Sequence, residues 1–176
     1  MQTSQVTVRR AGESDCDEWF ALFAAVAAEG RWLGSELPLD QAAYRRRYLD
    51  GLVDPDRPGV PFVAEAGGRH VGKLLLSTRA GIGDIGMAVD AAWRGRGVGS
   101  ALLAAAVEWA RAHDLHKLAL QVWPHNVAAQ RLYEKFGFVA EGRLRRQYRR
   151  RNGELWDAVV MGLVLDETSP GSPEPG

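Results

Sequence analysis

The sequence contains very little cysteine and no long apolar run. Cys16 is the only cysteine of the 176 residues, so no disulfide can form within the chain. No window approaches the roughly eighteen apolar residues that a membrane-spanning helix needs. The N-terminus also lacks the charged-then-apolar pattern of a signal peptide. We therefore expect a cytoplasmic protein that has no membrane partner.

The chain also lacks an excess of charge of either sign. Lys and Arg total 22, and Asp and Glu total 22, so no global field favours DNA or a membrane surface. The apolar fraction of 46% is typical of a globular protein that can bury a core. We expect a single domain over residues 1–165. Residues 166–176 are rich in proline, glycine and acidic side chains, which predicts a disordered tail.

Hydrophobic periodicity predicts an α/β fold in which strands and helices alternate. Two glycines at 67–68 and the pair Asn152-Gly153 predict hairpin turns. The predicted strands cover residues 6–10, 61–66, 70–77, 83–89, 117–122, 138–148 and 155–165, and the predicted helices cover residues 15–29, 41–52, 100–113 and 126–136. A strand, helix and strand follow one another from residue 83 to residue 122, which is typical of a parallel crossover.

Glycine and arginine are concentrated in front of the third predicted helix, where residues 93–100 read WRGRGVGS. The first turn of a helix has backbone N–H groups without internal partners and a partial positive charge, so it attracts anions. Gly95, Gly97 and Gly99 would let a phosphate approach the backbone closely. Arg94 and Arg96 would add guanidinium groups that can donate paired hydrogen bonds to phosphate oxygens. The turn therefore predicts a phosphate site, and its size favours a pyrophosphate.

Two common phosphate motifs do not fit this turn. A nucleoside-triphosphate loop needs Gly-Lys followed by Ser or Thr, whereas Gly99-Ser100 precedes Ala101. A dinucleotide-binding fingerprint has a different glycine spacing and lies near the first strand. The alternative without a ligand is a tight glycine turn with surface arginines.

The pattern Arg94-x-x-Gly97-x-Gly99 resembles the acyl-CoA pyrophosphate motif of the GNAT superfamily of acyl-CoA N-acyltransferases. The similarity continues upstream into residues 87–90 and downstream into residues 118–126 and 131–138. It follows the element order of the family over residues 4–165 and is most specific over residues 84–140. The resemblance implies a mixed sheet of about seven strands, splayed between the fourth and fifth strands and flanked by about four helices.

The resemblance also implies acetyl-CoA as the co-substrate and no metal. In the family the pantetheine arm lies in the splay, and the pyrophosphate lies on the turn that opens the third helix. The backbone of the fourth strand would pair with the arm as an added strand does. The residues implied in cofactor binding are Met87, Ala88, Val89, Arg94, Gly95, Arg96, Gly97, Val98, Gly99, Ser100, Asn126 and Tyr133. Asn126 is equally suited to capping the next helix.

Acyl transfer from a thioester needs a neutral amine, a polarised carbonyl and a proton for the departing thiolate. Tyr133 follows Asn126 by seven residues, which is the position of the catalytic acid in the family, although its ring could serve packing alone. Cys16 has no histidine nearby in the sequence and is expected to be inert. We therefore expect direct transfer without an acyl-enzyme.

The general base is less well defined by the sequence. Related enzymes place a glutamate on the fifth strand, and this chain has Gln121 there, which cannot accept a proton. Asp84, at the start of the fourth strand, is the predicted base, acting directly or through water. Glu65 and Asp157 are weaker candidates, and His125 is the histidine nearest the predicted splay.

The acceptor site is predicted from the segment that follows the first helix. In the family this segment covers the acceptor side of the splay. Trp32 could line a pocket there, and Glu29 and Glu36 could attract an ammonium group. The alternative is a loop anchored by a core tryptophan. We expect a small primary amine as the first acceptor and a protein N-terminal amine as the second.

The last predicted hairpin carries a cluster of arginines at positions 143, 145, 146, 149, 150 and 151. Such a cluster suits an acidic acceptor or RNA, but it is also typical of one solvated strand face. The alternative function is therefore a non-catalytic CoA-binding or RNA- or ribosome-associated module that uses this hairpin. A homodimer is compatible with the sequence.

Overall fold

The computed structural model describes residues 5–53 and 59–166. Within them the chain forms four α-helices and seven strands that make one sheet. The strands are β1 (Thr7–Arg10), β2 (Gly59–Ala66), β3 (Arg69–Arg79), β4 (Ile82–Val89), β5 (Lys117–Val122), β6 (Val139–Arg149) and β7 (Leu155–Val164), and the helices are α1 (Cys16–Ala28), α2 (Gln41–Val53), α3 (Val98–Ala112) and α4 (Val127–Lys135).

The strand order in the sheet is β1-β2-β3-β4-β5-β7-β6. The β4–β5 pair is parallel, and every other pair among the described strands is antiparallel. The parallel pairing covers only Ile82–Asp84 against Lys117–Ala119. Beyond Asp84 the two strands diverge, so the edge of β4 that faces β5 has no strand partner there. The expected mixed sheet with a splay between its fourth and fifth strands is confirmed.

Helices cover both faces of the sheet and bury two apolar layers. On one face, Leu102 and Leu103 of α3 are buried against Leu74 and Leu76 of β3. On the other face, the side chains of α1 and α2 pack on the odd-numbered residues of β2 and β3, with Trp19 buried among them. Complete burial of each large apolar side chain stabilises the fold by about 1.5–3 kcal/mol. Because both faces are covered, any polar side chain in the middle of β3 must also be buried.

Two element boundaries differ from the prediction in ways that affect function. Helix α3 begins at Val98 rather than at Ser100, because Gly97 adopts a φ of +83° and forms the N-cap. The predicted hairpin turn at Asn152-Gly153 is a three-residue loop closed by the Arg150 N–H to Glu154 carbonyl bond of 2.8 Å. Only Gly153 of that pair has positive φ, whereas a two-residue turn of the expected type needs positive φ at both positions.

The other predicted elements are present, with ends displaced by at most two residues. The Gly67-Gly68 hairpin is confirmed, and both glycines have positive φ as that turn requires. Residues 54–58, between the second predicted helix and the second predicted strand, lie outside the described residues, as do residues 167–176 of the predicted tail. The division of the chain at residue 165 stays a prediction.

Candidate active site

A cavity of about 350 Å³ lies along the unpaired edge of β4, between the N-terminal turn of α3 and one side of α4. Its walls include nearly all the residues predicted to bind the cofactor, together with Trp32. They are Met87, Ala88, Val89, Arg94, Gly95, Gly97, Val98, Gly99, Ser100, Asn126 and Tyr133. The exception is Arg96, which is exposed on the outer side of the turn, with its guanidinium 5.4 Å from the Trp93 ring centre.

The three glycines of the turn serve different purposes. Gly95 and Gly97 have φ values of +71° and +83°, which side chains rarely tolerate. A Cβ at either position would meet nothing within 4 Å, so the space above this backbone is open. Gly99 lies close to α4, because a Cβ there would lie 3.0 Å from Cδ2 of Leu132. The turn therefore presents an open backbone surface and brings α3 close to α4.

Arg94 is already engaged by side chains from the other side of the cavity. Its two terminal nitrogens donate to the Glu29 carboxylate at 2.7 and 2.5 Å, and its Nε donates to the Val89 carbonyl at 3.1 Å. Trp32 Nε1 donates to the same carboxylate at 2.7 Å. Because Arg94 donates to it, the pKa of Glu29 lies below its ordinary value. Glu29, Trp32 and Arg94 thus form one cluster at the cavity wall.

Tyr133 and Asn126 lie on α4, on the opposite wall. Tyr133 is 7% exposed and packs on Phe138, with ring centres 5.7 Å apart. Burial raises the pKa of Tyr133 to about 12, so the hydroxyl is protonated at neutral pH. Asn126 caps α4, since its Oδ1 accepts from the Ala129 N–H at 3.2 Å. Asn126 therefore caps α4, as one of its two predicted roles requires, and it also lines the cavity.

Asp84 lies where β4 and β5 separate. It retains exposed surface, yet partial desolvation by the strands around it raises its pKa above the ordinary value. Tyr148 of β6 is near enough to feel this charge, and its own pKa is raised by burial and by Asp84. The Tyr148 hydroxyl donates to Gln121 Oε1 at 2.8 Å. Sequence reasoning missed Tyr148, because nothing in the local pattern places β6 beside this point.

The remaining candidate nucleophile and bases are engaged elsewhere. Cys16 is buried in α1, and burial raises the pKa of its thiol, which disfavours the thiolate. Glu65 accepts from Arg9, and Asp157 accepts from Arg143 at 2.7 Å. His125 Nε2 lies 3.0 Å from the Arg31 carbonyl, which can only accept, so Nε2 must carry the proton there.

Arg9 also joins the first strand to a group of acidic side chains. Its guanidinium contacts the Asp15 carboxylate at 2.8 and 3.0 Å as well as Glu65. His70 Nε2 lies 3.2 Å from Asp15, and the Gly12 N–H donates to Asp15 at 2.7 Å. The Arg9 bonds hold the pKa of Asp15 well below its usual range. This cluster stabilises the packing of α1 on the sheet.

Arg150 holds the segment after α1 against the β6–β7 loop. Its side chain is 3% exposed and donates to the carbonyls of Leu33 and Gly34 at 3.0 and 3.1 Å. Glu36 pairs with Arg150 at 3.4 Å and accepts from the Arg151 N–H at 2.9 Å. Glu36 therefore contacts Arg150 and Arg151 and does not line the cavity beside β4.

The arginine cluster of the last hairpin is not one continuous cationic face. Arg150 is buried, Arg143 is paired with Asp157, and Arg151 donates to the Pro38 carbonyl at 3.3 Å. Arg145, Arg146 and Arg149 are exposed on β6. Several of the charges therefore have internal structural partners.

The model of the acetyltransferase (GNAT) family matches residues 17–138. The chain belongs to this family. It is 37% identical over 119 residues to the L-amino acid N-acetyltransferase AaaT of Escherichia coli (strain K12), an alignment that covers 62% of this chain and 71% of that protein. The expectation of an acyltransferase enzyme of the N-acetyltransferase class is confirmed.

Solved structures agree with this assignment. A GNAT-family acetyltransferase from Streptococcus pneumoniae superposes with a TM-score of 0.80 at 28% identity, covering 92% of this chain and all of that one. The yncA protein of Salmonella typhimurium, solved with its cofactor acetyl-CoA, shares the fold with a TM-score of 0.78 at 22% identity, covering 96% and 99%. Among the described residues, no helix has the length and apolar character needed to cross a membrane.

Proposed function

We propose that this enzyme transfers the acetyl group of acetyl-CoA directly to the primary amine of a small molecule, and that residues 1–165 form its single catalytic domain. The observation that carries the proposal is the cavity beside β4. It joins an unpaired strand edge, an open glycine turn at a helix N-terminus and a buried protonated tyrosine.

The residues of the cavity fit acetyl-CoA in charge and shape. The open backbone of Gly95 and Gly97 at the start of α3 suits a pyrophosphate, since the first turn of a helix offers N–H groups and positive potential. Arg94 and the exposed Arg96 supply cationic groups. The free edge of β4 at Met87–Val89 offers backbone groups to the amides of the pantetheine arm.

The proposed reaction needs two proton transfers, and we assign them to Tyr133 and Asp84. Acetyl-CoA supplies the thioester. The acceptor nitrogen attacks the thioester carbonyl, the carbon–sulfur bond breaks, and the thiolate takes the proton of the Tyr133 hydroxyl. Asp84 removes the proton of the amine, directly or through water. A raised pKa makes Asp84 a stronger base than an ordinary carboxylate, provided that it is ionised.

The acceptor side favours a small molecule over an extended peptide. Arg150, Arg151 and Glu36 tie the segment after α1 to the β6–β7 loop through four polar contacts, and a fixed segment there supports a small acceptor over an extended peptide. The relative AaaT is named for acetylation of L-amino acids. A protein N-terminal amine is therefore the second choice.

Release of the CoA thiol during incubation with acetyl-CoA and a panel of amines tests this proposal. The panel contains amino acids, simple alkyl and aryl amines, and a peptide with a free N-terminus. We expect thiol release with at least one small amine and little with the peptide. Acetyl-CoA should also raise the melting temperature, because a ligand bound only by the folded state stabilises it. Absence of both effects at millimolar acetyl-CoA would refute the proposal.

A further inference from the structure

A second cavity, of about 360 Å³, lies on the face of the sheet that α1 and α2 cover. We call it the Lys73 cavity. Its floor is formed by the alternate residues Lys73, Leu75 and Ser77 of β3, and its roof includes the rings of Trp19 and Tyr44. Apart from Lys73, the exposed Arg47 and a few hydroxyl groups, these walls are apolar. A space with such walls suits the hydrocarbon part of a ligand.

The Lys73 cavity adjoins the cavity beside β4. Leu33, Met87 and Ala88 line both. Gly86 adds to the opening between them, because a Cβ at this position would meet nothing within 4 Å. Asp84, Gly86 and Ala88 alternate along β4 and therefore share the face of the sheet on which the Lys73 cavity lies. An acceptor whose amine lies near Gly86 could extend its remaining part into the Lys73 cavity.

Lys73 has no anionic partner in the described part of the chain. The residue is 5% exposed, and its Nζ lies 2.6 Å from the Tyr44 hydroxyl. Nζ also lies 4.2 Å from the ring centre of Phe23 and 4.5 Å from that of Trp19. Desolvation holds the pKa of Lys73 well below its ordinary value, and no charge from a described residue offsets it. An anionic ligand would favour the protonated form.

The geometry points to an acceptor that carries a carboxylate on an apolar body, with the apolar body in the Lys73 cavity and the carboxylate on Lys73. This inference rests on the proposed function, since it names the class of amine that the same site takes. Lys73 loses its hydration when the protein folds, so a bound carboxylate supplies a counter-charge to a group that is already desolvated. Lys73 is thus a residue that determines specificity rather than one that moves a proton in the reaction.

The first test compares acceptors that differ only in charge. Phenylalanine and phenylalaninamide have the same apolar body, and the amine of the amide is the less basic, so a preference for the acid cannot arise from more free amine. Charge-assisted hydrogen bonds predict that kcat/KM for the acid exceeds that for the amide by about 10- to 100-fold. Alanine, which lacks the apolar body, should be a poorer acceptor than phenylalanine.

The matched variant is Lys73→Met, which keeps the length of the side chain and removes the charge. Replacing a buried charged group by an apolar one of similar volume is commonly tolerated, so the variant should fold. We expect the preference for the acid over the amide to fall to about 3-fold or less, with acetyl-CoA still raising the melting temperature as in the wild type. Tyr44→Phe, which keeps the ring and removes only the hydroxyl beside Nζ, should leave most of the preference intact.

A binding experiment without an acceptor amine separates this inference from the proposed function. Calorimetry with 3-phenylpropionate and its neutral amide is carried out in saturating CoA, so that the arginines of the turn are occupied. The acid should bind the wild type at least 10-fold more tightly than the amide, and Lys73→Met should remove this difference. If no amine is acetylated but the Lys73-dependent binding is found, the proposed function fails and the ligand class stands.

Three results would overturn the inference. One is equal use of phenylalanine and its amide by a wild type that acetylates other amines. Another is a preference for the acid that survives in Lys73→Met. The third is 3-phenylpropionate binding that is absent from the wild type or unchanged in the variant.

Discussion

Acetyl-CoA must compete with Glu29 for Arg94 if the turn before α3 binds a pyrophosphate. Both terminal nitrogens of Arg94 donate to the Glu29 carboxylate in the free protein. Release of this pair costs part of the binding energy, and the freed carboxylate would then lie near the phosphates. We therefore expect Glu29→Gln to tighten the binding of acetyl-CoA. The substitution is mild, because the glutamine oxygen can still accept from Trp32 Nε1.

The exposure of the pair sets the size of the effect. The side chains of Arg94 and Glu29 are 35% and 31% exposed, so water screens their interaction considerably. Ion pairs of this kind contribute about 0.2–1 kcal/mol. Loss of the competing pair and of one negative charge near the phosphates places the change toward the upper end of this range. A decrease of about 2- to 5-fold in the Kd of acetyl-CoA follows.

Isothermal titration calorimetry with acetyl-CoA measures this change directly. The matched control is Glu36→Gln, which removes a carboxylate of the same loop that pairs with Arg150 instead. Its Kd should equal that of the wild type. Arg94→Met should weaken binding by about 10-fold or more, as loss of a charge-assisted contact does. In the Arg94→Met background most of the gain from Glu29→Gln should disappear, because the two residues act as a pair.

Two results would refute this reasoning. Weaker binding by Glu29→Gln, with no change in Glu36→Gln, would show that the ion pair positions the turn for the ligand rather than competing with it. Unaltered binding by Arg94→Met would show that the phosphates do not contact Arg94.

Three further substitutions test the acid, the base and the Arg9 cluster. Tyr133→Phe should lower kcat by about 10²- to 10⁴-fold with little change in the Kd of acetyl-CoA; equal losses in both would mark Tyr133 as a packing residue. Asp84→Asn should slow turnover most near neutral pH, with a defect that shrinks as pH approaches the pKa of the amine, and a pH–rate profile parallel to the wild type would exclude Asp84. Asp15→Asn should destabilise the fold by about 2–4 kcal/mol in urea unfolding at pH 7, against at most about 0.5 kcal/mol for the exposed control Asp17→Asn. Because folding lowers the pKa of Asp15, the ionised carboxylate contributes fully to stability at pH values above the ordinary carboxyl range. This contribution is lost as the pH falls below that range, so the stabilities of the wild type and Asp15→Asn should converge in acid.

The cofactor side of the fold could be predicted because its determinants are local in sequence. The glycines and arginines of the turn and the apolar residues of α3 all lie within residues 93–110. Together they predict a helix that packs on the sheet and an anion site at its first turn. The start of α3 differs from the prediction, since the positive φ of Gly97 lets the helical turn begin at Val98. Propensity alone assigns a glycine to a loop, and here the glycine caps the helix instead.

The polar partners of the site could not be predicted, because tertiary folding brings them together. Arg94 and Glu29 are 65 positions apart in the chain, and Arg150 is 117 positions from Leu33. Glu29 and Glu36 were expected to attract an ammonium group, and each has an arginine partner that no periodicity reveals. The prediction that they contact the acceptor stays untested.

Lys73 illustrates why the sequence alone does not predict which acceptor the enzyme selects. A lysine in a strand ordinarily points to water, and the local pattern around residue 73 gives no reason to expect otherwise. It is buried because α1 and α2 cover that face of the sheet, and because two aromatic rings of α1 approach its ammonium group. The cofactor is shared by the whole family and can be bound by a contiguous turn. The acceptor differs between members, and under our proposal the residues that contact it here come from α1, the segment after α1, α2, β2, β3 and β4. A change in acceptor therefore requires only a few side chains on these elements, and the turn and α3 can stay as they are.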